Sequence, residues 1–477
     1  MSAGRMATLL APSLERTPAY AGLADGLRAL ISDGRVPVGT RLPSERELTG
    51  HLAVSRTTVT RAYDVLREQD YLESRQGSGS VARLPMARSG RTDHLLMPRG
   101  SDEDSIDLTI AAPAAPPGVV GAYRAALERL PAYLPGSGYY PTGVPALREA
   151  IARRYDGRGL PTTPEQVVVV GGALSGLAIA AQALVGPGDR VLVETPTYPN
   201  PIVTLRARGA RLVGTTVDVE HGWDVPGAVA AMRARRLSMA YLIPDFHNPT
   251  GALMDDGTRQ ELGAALRAGG VTPVVDESMV DLALDESTAG SMPAPFAAYC
   301  SDTVTVGSAS KAFWAGLRIG WMRVPPDRIR AVTAARLSLD LACPLLEQLT
   351  MLEVLADEAA VLAHHRATLS ASRSALLAAV AEHLPDWSAT AGRGGLTVWC
   401  RLPRAASSAL SVTAEKHGVY LAAGPSFAPH GGLEHYVRLP YTLPPDTLTE
   451  AVRRLEAAWR ETPEERWTRP GRAPVVA

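Results

Sequence analysis

The sequence predicts a multidomain chain: an N-terminal winged helix-turn-helix, then a large α/β domain with a mostly parallel central sheet and a smaller α+β C-terminal subdomain. Three observations predict this. Residues 20–82 contain three helical patterns followed by two short strand patterns. From Ile106 onward, apolar strand patterns alternate with helical ones, which is typical of a parallel sheet. A polar segment without periodicity separates the two regions.

The 477 residues are enough for two or three domains. The 48 basic and 49 acidic residues give a net charge of −1, which does not by itself indicate nucleic-acid binding. A small basic domain can nevertheless be part of a nearly neutral chain. Cys300, Cys343 and Cys400 form no C-x-x-C pair, so we predict neither a metal site nor a disulfide framework. This usage fits a reducing cytoplasm, and the N-terminus does not resemble a signal peptide.

One stretch, Val167–Gly186, is about as long as a membrane span and carries no charge. It contains four glycines, and charged or polar residues flank it. A buried strand over Val167–Val170, a glycine turn and a helix from Leu174 explain it better than a transmembrane helix. We therefore predict that the protein has no membrane partner.

The N-terminal module begins with a helix over Tyr20–Ser32, whose apolar residues recur at helical spacing. A second helix opens at Ser44, because Ser44 and Glu47 have capping-box spacing. A short turn leads to Ser55, a good N-cap for a third helix that runs to about Gln69. Two helices joined in this way form a helix-turn-helix, and the second of them is the recognition helix.

Recognition side chains lie near the N-terminus of the recognition helix, where they enter the major groove. Arginine can bind a guanine edge bidentately, and hydroxyl groups suit phosphates or bases. At that end the sequence places Ser55, Arg56, Thr57, Thr58 and Arg61. Two short strands around a Gly-rich turn follow and would form a wing. We therefore predict that the module binds a double-stranded DNA operator.

The stretch from RLPSEREL to QGSGSVAR resembles the winged helix-turn-helix of the GntR family. The resemblance implies that Arg46, Arg56, Thr58 and Gly77 contact DNA, and we add Ser44 to this group. One departure is Ala53, where the family's turn usually has Gly, at a small backbone cost. The alternative, a solvated helix face that carries the arginines, is less favoured because caps, turn and wing occur in order.

Residues 84–105 combine charges, Gly and Pro, which predicts a linker. After it come six predicted strands: Val167–Val170, Arg190–Glu194, Arg211–Thr216, Met239–Ile243, Val271–Val275 and Thr303–Val306. Long Ala/Leu helices begin after about Arg336. We place the DNA-binding module at 16–83 and the second domain at 106–465, with its large part at about 130–335 and a small subdomain formed by the remaining ends.

The first of four segments that carry chemistry is VGSASKAFWAGLRIGW, at the end of a predicted strand. Ser308 and Ser310 precede Lys311, and Arg318 follows seven residues later. Serine hydroxyls and an arginine suit a phosphate, since arginine gives charge-assisted hydrogen bonds. Taken alone, a lysine in this setting is more often a surface residue.

The other three segments also follow predicted strands. Asp276 lies at the carboxyl edge of one strand, and Asn248 lies in the HNPTG turn after another. Two glycines before Ala173 and Leu174 let backbone N–H groups at a helix start approach a phosphate. Pyridoxal 5'-phosphate (PLP) requires a lysine for a Schiff base, an acid for the pyridine nitrogen, a hydrogen-bond donor to the ring oxygen and a phosphate-binding site. The four segments together predict PLP on Lys311.

These segments, in this order, resemble the fold-type I PLP-dependent transferases, specifically aminotransferases of subgroup I, from about Ile106 to Trp459. The resemblance implies that Tyr198 stacks on the pyridine ring and that Arg438 binds the α-carboxylate of a substrate or effector. It also implies a homodimer with the active site between protomers, in which Tyr139 reaches the partner's phosphate site.

One departure from that family concerns the ring oxygen. The family places a tyrosine two or three residues after the pyridine acid, where this chain has Ser278 and Met279. Serine is shorter and methionine cannot donate. Asn248 is retained, so we expect the cofactor to be held and its catalytic turnover on Lys311 to be doubtful.

A GntR-type head joined to an aminotransferase-like body resembles the MocR subfamily of regulators. The resemblance implies a transcription regulator whose body senses PLP, or a small amine or amino acid that reacts with it. An active PLP-dependent aminotransferase with a helix-turn-helix head is the alternative, and a PLP-binding protein with neither activity ranks third. The effector, the target promoter and the sign of regulation do not follow from the sequence.

Overall fold

The computed structural model describes residues 1–11, 13, 18–75, 79–85, 96 and 104–463. Within this part, the N-terminal head has four helices and one antiparallel hairpin, in the order α1 (Ala3–Leu10), α2 (Ala19–Ser32), α3 (Glu45–Leu52), α4 (Arg56–Glu68), β1 (Leu72–Arg75) and β2 (Gly79–Ala82). The inward stripes of α2 and α4 form its core around Leu23, Leu27 and Val59. Helix α1, which the sequence patterns do not predict, adds Met6 and Leu10 to this core.

The described part of the body contains the strands β3 (Ile106–Asp107), β4 (Val167–Val170), β5 (Arg190–Thr195), β6 (Arg211–Asp218), β7 (Gly222–Trp223), β8 (Met239–Leu242), β9 (Thr272–Asp276), β10 (Val304–Ser308), β11 (Gly320–Arg323), β12 (Ser388–Ala391), β13 (Thr397–Arg401), β14 (Val419–Tyr420), β15 (Ala422–Ala423) and β16 (Tyr436–Pro440). Eight of them form the central sheet, in the order β4-β11-β10-β9-β8-β5-β6-β7. Strands β10, β9, β8, β5 and β6 are parallel neighbours, whereas β11 is antiparallel to both of its neighbours. The predicted, largely parallel α/β fold is confirmed, and the structure adds the short strand β11.

Helices cover the sheet and build the subdomain. They are α5 (Val119–Arg129), α6 (Pro145–Gly157), α7 (Ala173–Leu184), α8 (Pro199–Ala207), α9 (Val225–Ala234), α10 (Asp256–Ala268), α11 (Glu286–Gly290), α12 (Phe296–Tyr299), α13 (Ile329–Leu337), α14 (Leu345–Ala356), α15 (Glu358–His383), α16 (Ser407–Lys416) and α17 (Pro445–Glu461). Helices on both faces bury the strands, as a parallel sheet requires. The uncharged stretch Val167–Gly186 is therefore β4, a turn and α7, and among the described residues no helix is long and apolar enough to span a membrane.

The smaller subdomain combines an antiparallel sheet, in the order β12-β13-β16-β15, with α15, α16 and α17. Most of the predicted linker, residues 86–95 and 97–103, lies outside the described residues. The next strand, β3, pairs in parallel with β14 of the subdomain. The chain is therefore anchored to the subdomain before it reaches the central sheet.

The head lies against the edge of the body formed by β6. Arg35 pairs with Asp218 at 3.0 Å, and Thr216 donates to the carbonyl of Arg35. The amide of Leu433 donates to the carbonyl of Ser32 at 2.6 Å. Charge pairs, side chains and backbone thus fix one orientation of the head on the body.

Candidate cofactor site and DNA interface

Lys311 follows β10 within one turn of π-helix, Ser310–Trp314. Such turns commonly mark functional sites. The Nζ atom donates to the carbonyl oxygen of Ala111 at 2.8 Å. Burial contributes most to lowering the pKa of Lys311 to about 8, and the charge of Arg438 contributes second. The charge of Asp276 opposes this shift. A far larger fraction of this amine is therefore neutral and nucleophilic near pH 7 than for an exposed lysine.

Asp276 ends β9 and is buried beside the lysine. Tyr241 of β8 donates to Oδ2 at 2.8 Å, and the amide of Ser278 donates to Oδ1 at 2.9 Å. Burial raises the pKa of Asp276, and these hydrogen bonds together with the charge of Lys311 oppose the rise. A pyridinium cation would oppose it further. Tyr241 was not identified from the sequence, because a tyrosine in a buried strand has no distinguishing pattern.

Arg438 of β16 is only 1% exposed. Within the described residues its guanidinium pairs with no carboxylate, and its Nε has no hydrogen-bond partner. Nη2 donates to the carbonyl of Thr109, and Nη1 lies 3.5 Å from Oδ1 of Asn248. Burial lowers the pKa of Arg438 to about 10. An unpaired buried cation is costly, so the site favours an anionic ligand such as a carboxylate.

Three of the residues predicted to bind the phosphate, Ala173, Leu174 and Arg318, meet at the start of α7. Its N-cap is Gly172, with a φ of 107° and no side-chain cap, so the first backbone N–H groups, at Ala173 and Leu174, are unsatisfied within the helix. Arg318 reaches this turn and donates to the carbonyl of Gly171 at 2.9 Å. A Cβ at Gly320 would lie 2.6 Å from the Cα of Gly172, so this close approach requires glycine.

Of the serines and tyrosines predicted for the site, three are at least partly buried and one, Tyr139, is exposed. Ser308 and Ser310 are buried next to Lys311, and Ser308 Oγ accepts from the amide of Ser310 at 3.1 Å. Tyr198 is half-buried, and the charges of Arg438 and Asp276 act on it. Tyr139 is 63% exposed and lies outside this buried group.

The two residues that replace the family's tyrosine have other contacts. The backbone N–H of Ser278 donates to Oδ1 of Asp276. Met279 is 5% exposed and packs in the main apolar core. Asn248, whose Oδ1 accepts from Arg438, remains the residue predicted to donate to the ring oxygen through its amide nitrogen.

The residues present fit PLP. Lys311, an amine with a lowered pKa, and the buried carboxylate of Asp276 act on each other through their charges. Arg318 acts on the same lysine and reaches the glycine turn at the start of α7. Together with Arg438, these residues form what we call the pocket. Lys311 would hold the cofactor covalently, Asp276 the pyridine nitrogen, and the start of α7 with Arg318 the phosphate.

On the head, the caps predicted from the sequence are present. Ser44 and Glu47 form a full capping box on α3. Ser55 caps α4 by accepting from the amide of Thr58 at 3.1 Å, and its hydroxyl also bonds that of Thr58. The hydroxyls of Ser44, Ser55 and Thr58 thus form hydrogen bonds at the N-terminal ends of α3 and α4.

The remaining residues predicted for DNA are on the surface. Arg46, Arg56, Thr57 and Arg61 are exposed, and the side chain of Arg56 has 74% exposure despite a loose pair with Glu45 at 3.8 Å. Arg61 lies over the Tyr20 ring at 4.2 Å, which fixes its guanidinium by a cation–π contact. Gly77, predicted at the wing, lies outside the described residues.

Ala53 ends α3 in the left-handed region, at φ 52°. Because glycine adopts this conformation without strain, Ala53→Gly is expected to stabilise the head by about 0.5–1 kcal/mol. Ala29→Gly, at an exposed interior position of α2, is the matched control and should destabilise it by about 1 kcal/mol. Hydrogen exchange of amides in α3 and α4 measures both. Equal destabilisation by the two glycines would contradict the strain at Ala53.

Comparisons with known proteins agree with both halves of the chain. Residues 132–455 match the family model "Aminotransferase class I and II", and residues 19–81 match "Bacterial regulatory proteins, gntR family". The chain is 30% identical over 463 residues to the HTH-type transcriptional regulator TauR of Rhodobacter capsulatus, covering 90% of this chain and 94% of that protein.

Two further proteins link the chain to regulators and to enzymes. The probable rhizopine catabolism regulatory protein MocR of Rhizobium meliloti is 30% identical over 338 residues, covering 65% of this chain and 66% of that protein. The α-aminoadipate aminotransferase LysN from Thermus thermophilus, solved in complex with N-(5'-phosphopyridoxyl)-L-leucine, superimposes with a TM-score of 0.67 at 26% identity over 76% of this chain and 93% of that one. The chain therefore belongs to the MocR-type regulators, in which a GntR-type helix-turn-helix domain is fused to an aminotransferase class I and II domain.

Proposed function

We propose that this protein is a PLP-dependent, DNA-binding transcription regulator of the cytoplasm, and that its aminotransferase-like domain senses PLP, a small amine or an amino acid. When bound, PLP would supply an aldehyde that reacts with amines and an electron-withdrawing ring. The head would bind a double-stranded operator through Arg46 and through Arg56, Thr57 and Arg61 at the exposed end of α4.

The observation that carries this proposal is the path of the chain between linker and pocket. Residues 108–112 follow the linker and β3 directly. Lys311 donates to the carbonyl of Ala111, and Arg438 donates to that of Thr109. The side chains that we assign to cofactor and effector thus also hold the segment that leads back to the head.

A ligand changes DNA affinity only if it binds two arrangements of the protein with different affinity. A carboxylate on Arg438 competes with the carbonyl of Thr109, and a bond to Lys311 competes with that of Ala111. Either event loosens the segment after the linker. Effector binding at the pocket therefore has a physical route to the head.

A genome-wide binding map, made with and without PLP, first identifies an operator. The affinity for that operator and the footprint on it are then measured for the apo protein, the PLP-loaded protein and the amine-treated protein. Different affinities or footprints are expected. Three identical footprints with equal affinity would reject ligand sensing.

An active aminotransferase is the second candidate, because Lys311 lies close enough to Asp276 and Arg438 for both of their charges to act on it. Against it, the chain has Ser278 and Met279 where the family has a tyrosine. Met279 is buried in the core and cannot donate, and the side chain of Ser278 is shorter than a tyrosine, so the ring oxygen would lose its usual second donor. Multiple-turnover conversion of an amino acid and a keto acid, without specific DNA binding, would reverse the ranking.

The lowered pKa of Lys311 gives a pH prediction. The neutral amine is the nucleophile, so the rate of covalent PLP loading should rise about tenfold per pH unit below ~8 and level off above it. The visible absorbance of the loading protein measures the rate. A rate that still rises steeply towards pH ~10 would indicate an ordinary lysine.

We also propose a homodimer. Exposed large apolar side chains concentrate in two places, on α5 with the turn after it and at the end of α13 with the stretch that follows: Val120, Leu127, Leu134, Leu337, Leu339 and Leu341. Monomeric proteins rarely leave large apolar patches open to water. A second copy would cover these residues and bring its Tyr139 to the phosphate site of the first. Sedimentation velocity is expected to give twice the chain mass of 50.4 kDa.

A further inference from the structure

A basic cleft of about 1200 Å³ lies between the head and the body. Among the described residues, its lining includes seven arginines and two glutamates, whereas the whole chain has a net charge of −1. The cleft is at the amino-terminal ends of β5 and β6, and the proposed cofactor site is at the opposite, carboxyl ends of the strands. The arginines that the body contributes to this cleft therefore have no role in the proposed cofactor site.

Two arginines of the body lie side by side in this cleft. Arg190 and Arg211 are the first residues of the parallel strands β5 and β6, and they are register partners. Arg211 is exposed and Arg190 is half-buried. In the described part of the chain, neither guanidinium forms an ion pair with a carboxylate. Like charges at neighbouring strand positions repel each other, so this pair favours an anionic partner.

Arginines of the head face the same cleft from the other side. Arg46 and Arg56 belong to the surface that we assign to DNA, and both line the cleft. Arg235 of the body donates to the carbonyl of Gly39 at 3.3 Å, just before α3. This bond joins head and body at the cleft that Arg46 and Arg56 share with Arg190 and Arg211.

We propose that Arg190 and Arg211 bind phosphates of the operator duplex, beside the half-site that the head reads. This inference rests on the proposed DNA binding by the head and extends the contact surface to the aminotransferase-like domain. A duplex carries phosphates without interruption past the half-site, and such contacts position a protein without reading sequence. Guanidinium groups suit them because they bind phosphate oxygens bidentately.

The test uses the full-length, PLP-loaded protein with Arg190→Gln and Arg211→Gln combined. Affinities for the operator and for an unrelated duplex of equal length are measured across a salt series. Both affinities should fall about tenfold, and the slope of log affinity against log salt should shrink by roughly 2, because two phosphate contacts are lost. Arg190→Lys with Arg211→Lys should retain most of the slope. Lys416→Gln with Arg453→Gln removes two exposed charges from α16 and α17 and should change neither quantity.

An unchanged slope and affinity in the glutamine variant would overturn the inference. So would unchanged DNA binding together with lost binding of inorganic phosphate, which would assign the pair to a small anion. The PLP absorbance of the variant reports that the body is folded. If the wild-type protein does not distinguish the operator from the unrelated duplex, the proposed function fails. The salt slope on the unrelated duplex still decides the role of the arginine pair, because phosphate contacts do not depend on sequence.

Discussion

Replacing Lys311 with alanine is expected to abolish covalent PLP attachment and, with it, the visible absorbance band of the loaded protein. Lys311 and Lys416 are the only lysines in the sequence. Lys416 is exposed at the end of α16, whereas Lys311 faces Asp276 and Arg438 and has a pKa lowered to about 8. The loss should be complete, because no second side-chain amine lies at the pocket.

The matched control is Lys416→Ala, which should retain the whole band. Borohydride reduction followed by peptide mapping should place the label on the peptide that contains Lys311. The variant should stay folded, because it loses one hydrogen bond, to Ala111, at a cost of about 1 kcal/mol. A visible band in the alanine variant, or a label on Lys416, would remove Lys311 from its assigned role.

The same variant tests whether PLP attached to Lys311 controls DNA binding. Without Lys311 the protein cannot attach PLP covalently, yet the head and its contacts with Asp218 and Leu433 remain. Operator affinity that no longer responds to PLP would link the pocket to DNA binding. A wild-type response in the alanine variant would show that PLP acts elsewhere.

The sequence predicted what depends on local pattern. The capping box at Ser44 and the cap at Ser55 were predicted because each involves residues three positions apart. The buried strands β4, β5 and β8 were predicted because long apolar runs bounded by glycine or polar residues distinguish them. Lys311 and Asp276 were predicted through their positions at strand ends, which a parallel sheet brings to one edge.

The remaining features depend on contacts between residues far apart in the chain. Tyr241 of β8 forms a hydrogen bond with Asp276 of the neighbouring strand β9. Arg438 forms a hydrogen bond with Thr109, which is more than 300 residues away in the sequence. The pair Arg190 and Arg211 depends on the register of β5 against β6. No periodicity carries this information, because register and chain path are set by packing of the whole domain.

Replacing Arg438 with methionine is expected to remove the preference of the PLP-loaded protein for ligands that carry a carboxylate. The guanidinium is buried, has an unsatisfied Nε and pairs with no carboxylate among the described residues. Losing a buried charge-assisted contact costs roughly 3 kcal/mol, so affinity for an amino acid should fall about 100-fold. Affinity for the corresponding amine, which lacks the carboxylate, should change little.

Spectral titration with the amino acid and with its decarboxylated amine measures both affinities. Arg401→Met is the matched control: Arg401 lies on the neighbouring strand β13, is exposed, and should leave both affinities unchanged. Stability should not fall by much, because an apolar side chain replaces a buried cation that has no carboxylate partner. Retained discrimination in the methionine variant would assign the carboxylate to another residue.

Arg438 also connects ligand recognition to the linker. Because its Nη2 holds the carbonyl of Thr109, the methionine variant should release residues 108–112, and their amides should exchange faster in the absence of ligand. The amino acid should then no longer alter operator affinity, since the segment is already released. If exchange and the operator response both stay as in the wild-type protein, the signal travels by the docked face of the head at Arg35 and Asp218 instead.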